Sequence, residues 1–154
     1  MTLEMSSPDQ AVARERIAAE LSAPTGTLDL SGLQISELPP ELKSLTSLQS
    51  LKCINTQVSD LEPLRDLHSL QTLNCSYTQV SDLEPLRRLT SLHNLHCHQT
   101  QVRVLDPLRG LTRLQELHCG TSLVNNLEPL RDLTSLGKLY CWETKIDDLE
   151  PLRN

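Results

Sequence analysis

The chain has 154 residues, which suits one compact domain or one short stack of repeats, and its formal net charge of −6 argues against a surface that binds nucleic acid or an anionic membrane. Its composition is lopsided: 33 residues are Leu, whereas Phe is absent and there are one Trp and two Tyr, so the core is expected to reuse the same buried Leu position many times. No apolar run approaches the ~20 residues that span a bilayer, and Met1–Met5 has neither the basic nor the apolar region of a secretory signal, so a cytoplasmic protein is predicted.

Residues 1–24 are predicted to form an N-terminal helical cap. The run from Ser7 to Gln10 provides an N-cap serine, a proline at the first helical position and a glutamine three residues after the serine. Pro24 and Gly26 are expected to end the helix. The apolar stripe that should face the rest of the chain comprises Ala13, Ile17 and Leu21. Such a helix suits the role of covering the exposed end of a stack of repeats.

Residues 25–154 consist of repeated units that are predicted to form one domain. A divergent unit of 23 residues at 25–47 precedes units of 22 residues, the last of which stops three residues short, at Asn154. The shared pattern of the regular units is L-x-x-L-x-C-x-x-T-x-V-x-D-L-x-P-L-R-x-L-x-x. The regular units begin at Leu48, Leu70, Leu92, Leu114 and Leu136, and their cysteines are Cys53, Cys75, Cys97, Cys119 and Cys141.

This pattern resembles the leucine-rich repeat. The unit length and the D-L-x-P-L half look like the subclass found in bacterial internalins and in a regulatory subunit of protein phosphatase 1. The first unit, with L-D-L-S-G-L and E-L-P-P-E-L, is similar to the opening repeats of bacterial Roco proteins. In two departures from the family pattern, Cys replaces the third Leu, and Thr or Ser replaces Asn. The resemblance implies a bacterial, non-catalytic recognition protein with an α/β fold: a right-handed solenoid with a parallel concave sheet of about six strands and short 3₁₀ or α turns on the convex side.

Each unit is expected to begin with a short L-x-x-L-x-C strand whose second Leu and Cys point into the core, because side chains alternate along a strand. The Thr hydroxyl is expected to bond to the backbone of the next coil. In the return segment, Asp60 is the expected N-cap and Pro63 lies in the first helical turn. Acidic and arginine side chains three residues apart should form exposed pairs that contribute little to stability. These pairs are Glu62/Arg65, Glu84/Arg87, Asp106/Arg109, Glu128/Arg131 and Glu150/Arg153.

The cysteine column has three interpretations, of which buried and reduced thiols is the favoured one. Cysteine is small and apolar enough to fill a repeated core position. Neighbouring cysteines of the column should have parallel Cβ vectors, which make poor disulfide geometry. Metal or redox chemistry is a weaker alternative, because no C-x-x-C motif occurs. An odd number of cysteines without a signal sequence also favours a reducing compartment, although export by a signal-free route stays open.

The exposed strand positions of the concave face are the candidate binding site, because regular repeats keep their buried positions constant and vary the exposed ones. All three aromatic residues fall at these positions. Tyr140 and Trp142 lie two residues apart on one strand, so they should share a face, and both types are common interface hot spots. The alternative is that they cover the open C-terminal edge. The predicted partner-binding residues are Tyr77, His96, His98, Glu116, His118, Lys138, Tyr140, Trp142 and Glu143.

The histidines also allow a metal hypothesis. His96 and His98 share a strand face, His118 neighbours His96 on the next strand, and imidazoles at that separation could share Zn²⁺ with Glu116 as a possible fourth ligand. The H-x-H spacing is weak evidence, so neither a metal nor another cofactor is predicted, and binding by His96, His98 and His118 is kept as an alternative. No catalytic motif occurs, and Cys97 should point away from the imidazoles, so no enzymatic site is predicted.

The sequence therefore predicts a non-catalytic module that binds a protein partner of unknown identity on its concave face, towards the C-terminal half. Neither a nucleic acid nor a membrane is expected as a partner. One alternative is the recognition segment of a larger Roco-like signalling or effector protein, because no cap is predicted after Asn154. That uncapped end could also support self-association. A second alternative is a metal-binding protein that uses the histidine cluster.

Overall fold

The computed structural model describes residues 7–153, in which one helix leads into six coils that share a single sheet. The described range leaves out Asn154 and residues 1–6, which include the start of the predicted cap and the segment Met1–Met5. The helix is α1 (Pro8–Ser22), and the strands are β1 (Thr27–Asp29), β2 (Ser50–Lys52), β3 (Thr72–Asn74), β4 (Asn94–His96), β5 (Glu116–His118) and β6 (Lys138–Tyr140). No helix within this range is long and apolar enough to cross a membrane.

The strands are parallel and lie side by side in chain order, which confirms the predicted solenoid sheet. Each strand has three residues, fewer than the six of the L-x-x-L-x-C segment. Equivalent positions of successive units are in register, so that Leu73 lies opposite both Leu51 and Leu95. Each connection brings the chain back beside the strand that it has just left. Every variable residue of one coil therefore lies next to the equivalent residue of the following coil.

The core is a narrow column of repeated aliphatic and thiol side chains. The second Leu of each strand segment, the Cys two residues later and the Val of the pattern are fully buried in the inner coils, as at Leu95, Cys97 and Val102. All five cysteines are free, and only Cys141, in the last coil, is less than fully buried. The absence of Phe is consistent with this narrow interior, which Leu, Val and Cys fill.

Short 3₁₀ turns form the return side of every coil. They comprise Pro40–Ser44, Glu62–Leu64, Glu84–Leu86, Asp106–Leu108, Glu128–Leu130 and Glu150–Leu152. Their prolines lie in the first turn, where the missing N–H removes no internal hydrogen bond. The prediction that Asp60 is the N-cap was wrong by one residue, because Leu61 occupies that position. Asp60 accepts a hydrogen bond from the Glu62 amide at 2.8 Å, which forms an Asx turn that leads into the 3₁₀ turn.

Four of the five predicted acid–arginine pairs form on this return surface. Arg65 contacts Glu62 with two guanidinium nitrogens, and the units at 84–87, 106–109 and 128–131 repeat the pair. The last pair differs from the prediction, because within the described residues Glu150 pairs with Arg131 at 2.9 Å instead of with Arg153. Arg131 therefore bridges two coils, whereas Arg65, Arg87 and Arg109 each pair within one.

The predicted contact stripe of α1 is only partly correct. Ser7 accepts a hydrogen bond from the Gln10 amide, as expected of an N-cap, and Ala13 and Ile17 are buried. Leu21, however, is 45% exposed, and Glu20 is buried in its place. The carboxylate of Glu20 accepts hydrogen bonds from the groups that follow the helix: the Thr25 amide, the Thr25 hydroxyl and the Gly26 amide, at 2.7–2.9 Å. A polar cap with satisfied acceptors therefore replaces the expected apolar contact.

The threonine ladder bonds within its own coil, which corrects the prediction that it bonds to the next one. Thr56 Oγ1 donates to the carbonyl of Cys53 at 2.9 Å, three residues earlier, and Thr78 and Thr100 repeat this bond at 2.6 Å. The single hydroxyl proton is thus used inside its own coil, on the carbonyl three residues earlier. Its role is to close the tight bend that follows each strand segment.

Backbone hydrogen bonds between coils continue beyond the three-residue strands. The residue before each ladder Thr or Ser has φ between 48° and 57°, in the left-handed region, although only one of these residues is Asn. They are Asn55, Tyr77, Gln99, Thr121 and Glu143. The first four donate their amides to the next coil, as Tyr77 does to the His98 carbonyl at 3.0 Å. These bonds offset the cost of the left-handed conformation and turn the chain sharply out of the sheet.

Candidate partner-binding face

The exposed face of the sheet carries the residues that the sequence singled out. Three columns of side chains cross it: the first and third strand positions, and the position two residues beyond each strand. Their identities change from coil to coil, from Ser50, Lys52 and Ile54 at one side to Lys138, Tyr140 and Trp142 at the other. Since the coils are in register, neighbouring members of one column are brought together by the backbone alone.

A cluster of two imidazoles and one carboxylate lies where β4 and β5 adjoin. Glu116 Oε1 is 3.2 Å from His96 Nε2 and 2.8 Å from His118 Nε2. The two rings stack, with centroids 4.2 Å apart and planes inclined by 21°. The other carboxylate oxygen, Oε2, accepts a hydrogen bond from Lys138 Nζ at 3.1 Å. The structure thus brings together four predicted residues, each from a strand. His96, Glu116 and His118 are partly exposed, whereas Lys138 is exposed.

His98 lies beside this cluster but does not belong to it. Its Nδ1 atom is 2.9 Å from the hydroxyl of buried Ser76, which lies in the same column one coil earlier. Its ring meets Tyr77 edge-on, at a centroid distance of 5.2 Å. The predicted trio of His96, His98 and His118 therefore does not converge on one point, because Ser76 orients the middle histidine differently.

The aromatic residues of the last coils join the imidazoles in one continuous cluster. Tyr140 packs against His118 at a centroid distance of 4.0 Å, and Trp142 lies 5.9 Å from His98 and 6.2 Å from Tyr140. Tyr77, Tyr140 and Trp142 nevertheless remain 52%, 41% and 46% exposed. Trp142 follows β6 instead of lying within it, since the strand ends at Tyr140. About half of the surface of each of these three residues is therefore open to solvent, while contacts with His98 and His118 hold their rings in place.

Gly120 allows Trp142 to lie flat against the preceding coil. A Cβ atom at position 120 would lie 2.5 Å from Trp142 Cε2 and 2.6 Å from Cδ2, far inside any real contact distance. Only glycine leaves room for the indole there. Glu143, the last of the predicted contact residues, accepts a hydrogen bond from the hydroxyl of Thr121, one coil earlier, at 2.9 Å.

The electrostatics of the face follow from these contacts. Burial lowers the pKa of His96, the imidazole of His118 lowers it further, and Glu116 acts in the opposite direction. Burial, followed by the charges of the other two imidazoles, also lowers the pKa of His98. Hydrogen bonds from Lys138 and His118 lower the pKa of Glu116, and the same carboxylate raises the pKa of Lys138. At neutral pH the face therefore combines the neutral imidazoles of His96 and His98 with one carboxylate–ammonium pair.

Sequence reasoning missed three residues that shape this face. Gly120 makes room for Trp142, Ser76 orients His98, and Asn74 lies with its amide nitrogen 3.4 Å from His96 Nδ1. Each stands one coil before the residue it supports and in the same column. A search for small or polar residues that precede each aromatic or histidine by 22 positions would have found all three.

Comparisons with known proteins agree with the fold. The family model for leucine-rich repeats, two copies, matches residues 46–88 and again 68–110. Over 82% of the length of the present chain, the sequence is 31% identical to internalin C2 from Listeria monocytogenes, and the TM-score is 0.80. This chain is a leucine-rich repeat protein. Repeat proteins of this kind are typically protein–protein interaction modules and are generally non-catalytic.

Other solved structures share the solenoid at lower identity. Internalin F from Listeria monocytogenes is 24% identical over 98% of this chain, with a TM-score of 0.83. A leucine-rich repeat protein from Leptospira interrogans is 22% identical over 84% of this chain, with a TM-score of 0.75. The leucine-rich repeat chain spans 56% and 50% of the two internalin chains and 34% of the Leptospira chain. No match was found among curated proteins.

Proposed function

We propose that the exposed face of the sheet binds a protein partner, with its centre in the C-terminal half of the solenoid. The observation that carries this proposal is that every aromatic residue of the chain belongs to one exposed cluster with His98 and His118. Tyr and Trp on a rigid support supply large contact area at little entropic cost, and they dominate interface hot spots. In this proposal residues 25–154 are the recognition unit, and α1 covers its first coil.

The charges around the cluster define what kind of partner surface would fit. Lys138 and Glu116 neutralise each other, so the centre of the face carries no strong net charge. Glu143 and the imidazoles of His96 and His98 supply hydrogen-bonding groups around this centre. Such a face suits a partner with an apolar anchor surrounded by polar groups, the usual anatomy of an interface core and rim. The free thiols of the core further support a reducing compartment as the place of binding.

The proposal is tested by replacing Trp142 and measuring partner capture. Proteins from a native host extract that bind the wild-type chain should be lost with Trp142→Ala. Once such a partner is purified, its affinity should fall about 30-fold or more, since a hot spot contributes at least about 2 kcal/mol. Val104→Ala is the matched control, because Val104 is a similarly exposed apolar residue, at 51%, that lies outside the cluster.

Two outcomes would contradict the proposal that this face binds a protein partner. Equal capture by wild type and Trp142→Ala would overturn the site assignment. Equal loss with Trp142→Ala and Val104→Ala would indicate general stickiness of apolar residues instead of a defined site. Circular dichroism and urea unfolding of both variants establish that each retains the cooperative fold.

The alternative that the repeats serve as the recognition segment of a larger signalling or effector protein is a second proposal. It is supported by the greater length of the internalin chains and by the 60% exposure of Leu149 in the last coil. Reading the native coding frame beyond codon 154 tests it directly. Analytical ultracentrifugation of the isolated chain tests the related prediction of self-association through this end.

A further inference from the structure

Glu116 Oε1 is the meeting point of two imidazole nitrogens. His96 Nε2 and His118 Nε2 approach this single oxygen at 3.2 and 2.8 Å, and the three ligand atoms all lie within 4.8 Å of one another. A tetrahedral ion with bonds of 2.0–2.1 Å has ligand atoms about 3.3 Å apart. Both nitrogen–oxygen separations are therefore close to what one such ion requires, and the two nitrogens lie within 4.8 Å of each other.

The type of donor favours a particular class of ion. Two imidazole nitrogens and one carboxylate oxygen suit zinc and the neighbouring divalent transition metals, whereas magnesium and calcium prefer sites built of oxygen alone. Burial lowers the availability of competing water, since His96, Glu116 and His118 expose only 26%, 20% and 19% of their side chains. A set of three protein ligands leaves one coordination position open.

The support of the cluster is rigid, and the required atoms face one another, so an ion between them replaces the hydrogen bond between His118 Nε2 and Glu116 Oε1. His96 belongs to β4 and the other two residues belong to β5, so two adjacent hydrogen-bonded strands fix all three backbones. Lys138 occupies only Oε2 of the carboxylate, so its ammonium does not occupy Oε1. The two rings are stacked with planes inclined by only 21°, so ion binding requires the imidazoles to turn about their side-chain torsions until both Nε2 lone pairs converge.

We propose that His96, Glu116 and His118 form a binding site for zinc or a similar divalent transition-metal ion on the exposed face of the sheet. The ligand atoms are Nε2 of both histidines and Oε1 of the glutamate. Water, or a ligand group from another molecule, completes the coordination at the open position. The site requires no partner protein for its assembly, so it goes beyond the recognition function proposed above.

The test is calorimetric titration of the full chain with zinc chloride alone. Wild type should bind one equivalent of zinc saturably. His96→Ala, His118→Ala and Glu116→Gln should each weaken binding by at least about tenfold, the lower end of the cost of losing even an outer-shell partner. Glu116→Gln keeps the size of the side chain but removes its charge. His68→Ala is the control, because His68 is exposed and lies in a return segment.

A second measurement assigns the ligands without mutation. In ¹⁵N NMR spectra, zinc should shift the imidazole nitrogens of His96 and His118 and leave those of His68 and His93 unchanged. Absence of saturable binding overturns the proposal, as does equal binding by all four variants. Uniform shifts at every histidine would also overturn it, since they would indicate adventitious zinc on scattered imidazoles. Thermal unfolding of each variant verifies that a lost signal does not arise from a lost fold.

Discussion

At position 120 the absence of a side chain decides where the single tryptophan lies. The repeat places residue 120 and residue 142 in one column, and the indole covers the glycine backbone. The same principle acts at Ser76 and Asn74, whose small or polar side chains orient the histidines of the next coil. At the scale of single residues, therefore, the face is assembled from pairs one repeat apart as well as from neighbours on one strand, such as Glu116 and His118.

Gly120→Ala should displace Trp142 without altering any aromatic residue. The added methyl group would overlap the indole, so the ring must move and its environment must change. Because the chain has one Trp, its fluorescence emission reports this movement directly, and a shifted maximum is expected. Gly110→Ala is a matched control, since a Cβ there meets no atom within 4 Å. Identical spectra for wild type and Gly120→Ala would contradict the described packing.

Replacing Asn74, which contacts His96, should change zinc binding at the proposed site of His96, Glu116 and His118. The Asn74 amide nitrogen faces His96 Nδ1, whereas a carboxylate at this position would accept a proton held on Nδ1 and so leave Nε2 free for an ion. Asn74→Asp is therefore expected to tighten zinc binding by about tenfold, in line with the reported size of outer-shell effects. The same calorimetric titration measures this change, and weaker binding by Asn74→Asp would contradict the assigned ligand atom.

At the scale of elements, α1 is held by polar contacts as much as by apolar ones. Arg16 donates to the Asp29 carbonyl at 2.6 Å, and Asp9 accepts from the Gln34 amide. Glu20 satisfies the backbone that links the helix to β1. An amphipathic pattern identifies an apolar stripe but does not reveal an acidic residue that caps a following turn. Contacts with the turn at 24–26 therefore accompany the burial of Glu20, while Leu21 stays exposed.

Glu20 should make the stability of this junction depend on pH. Burial tends to raise the pKa of Glu20, but hydrogen bonds from Thr25 and Gly26 outweigh this effect, so the pKa lies below its ordinary value of 4.5. The carboxylate therefore stabilises the fold above that ordinary value, and this contribution is lost as the pH falls through the lowered pKa. Glu20→Ala is expected to cost about 1–3 kcal/mol at neutral pH, because donors lose a charged acceptor.

Urea unfolding at pH 7 and at pH 3 measures this effect. The difference between wild type and Glu20→Ala should shrink on acidification. Glu15→Ala, at an exposed position of the same helix, provides the control and should change the free energy of unfolding little at either pH. A difference that persists undiminished at pH 3 would show that the ionised carboxylate is not the stabilising group.

At the scale of the whole molecule, the solenoid is a one-dimensional stack in which each coil contacts only its neighbours. Stability is then a sum of coils and interfaces, and a terminal coil with one neighbour is less protected than an inner coil. The cysteine column reports this gradient, since one thiol occurs in each regular coil. Cys53, Cys75, Cys97 and Cys119 are buried, whereas Cys141 is partly exposed.

Alkylation of the native chain should therefore proceed unevenly along the column. Burial raises the pKa of Cys53, Cys75 and Cys97 well above 9.0 and raises the pKa of Cys119 to about 12, so these thiols stay protonated and unreactive at pH 8. Iodoacetamide followed by peptide mass spectrometry should find Cys141 modified first. All five should react in denaturant. Equal native rates at Cys97 and Cys141 would contradict the buried column.

The sequence by itself determined the repeat architecture, because a period of 22 residues repeats the same buried positions and thereby defines strands, turns and core. It also determined which residues vary on the exposed face, since strand alternation is independent of their identity. It could not determine the contacts among those variable residues. Three contacts depend on side-chain lengths and rotamers in adjacent coils. They are the contacts of Glu116 with His96 and His118, the hydrogen bond between His98 and Ser76, and the packing of Trp142 on Gly120. Only the tertiary structure decided these contacts, because the partners are 20 or 22 residues apart, or share a strand whose neighbours set their orientation.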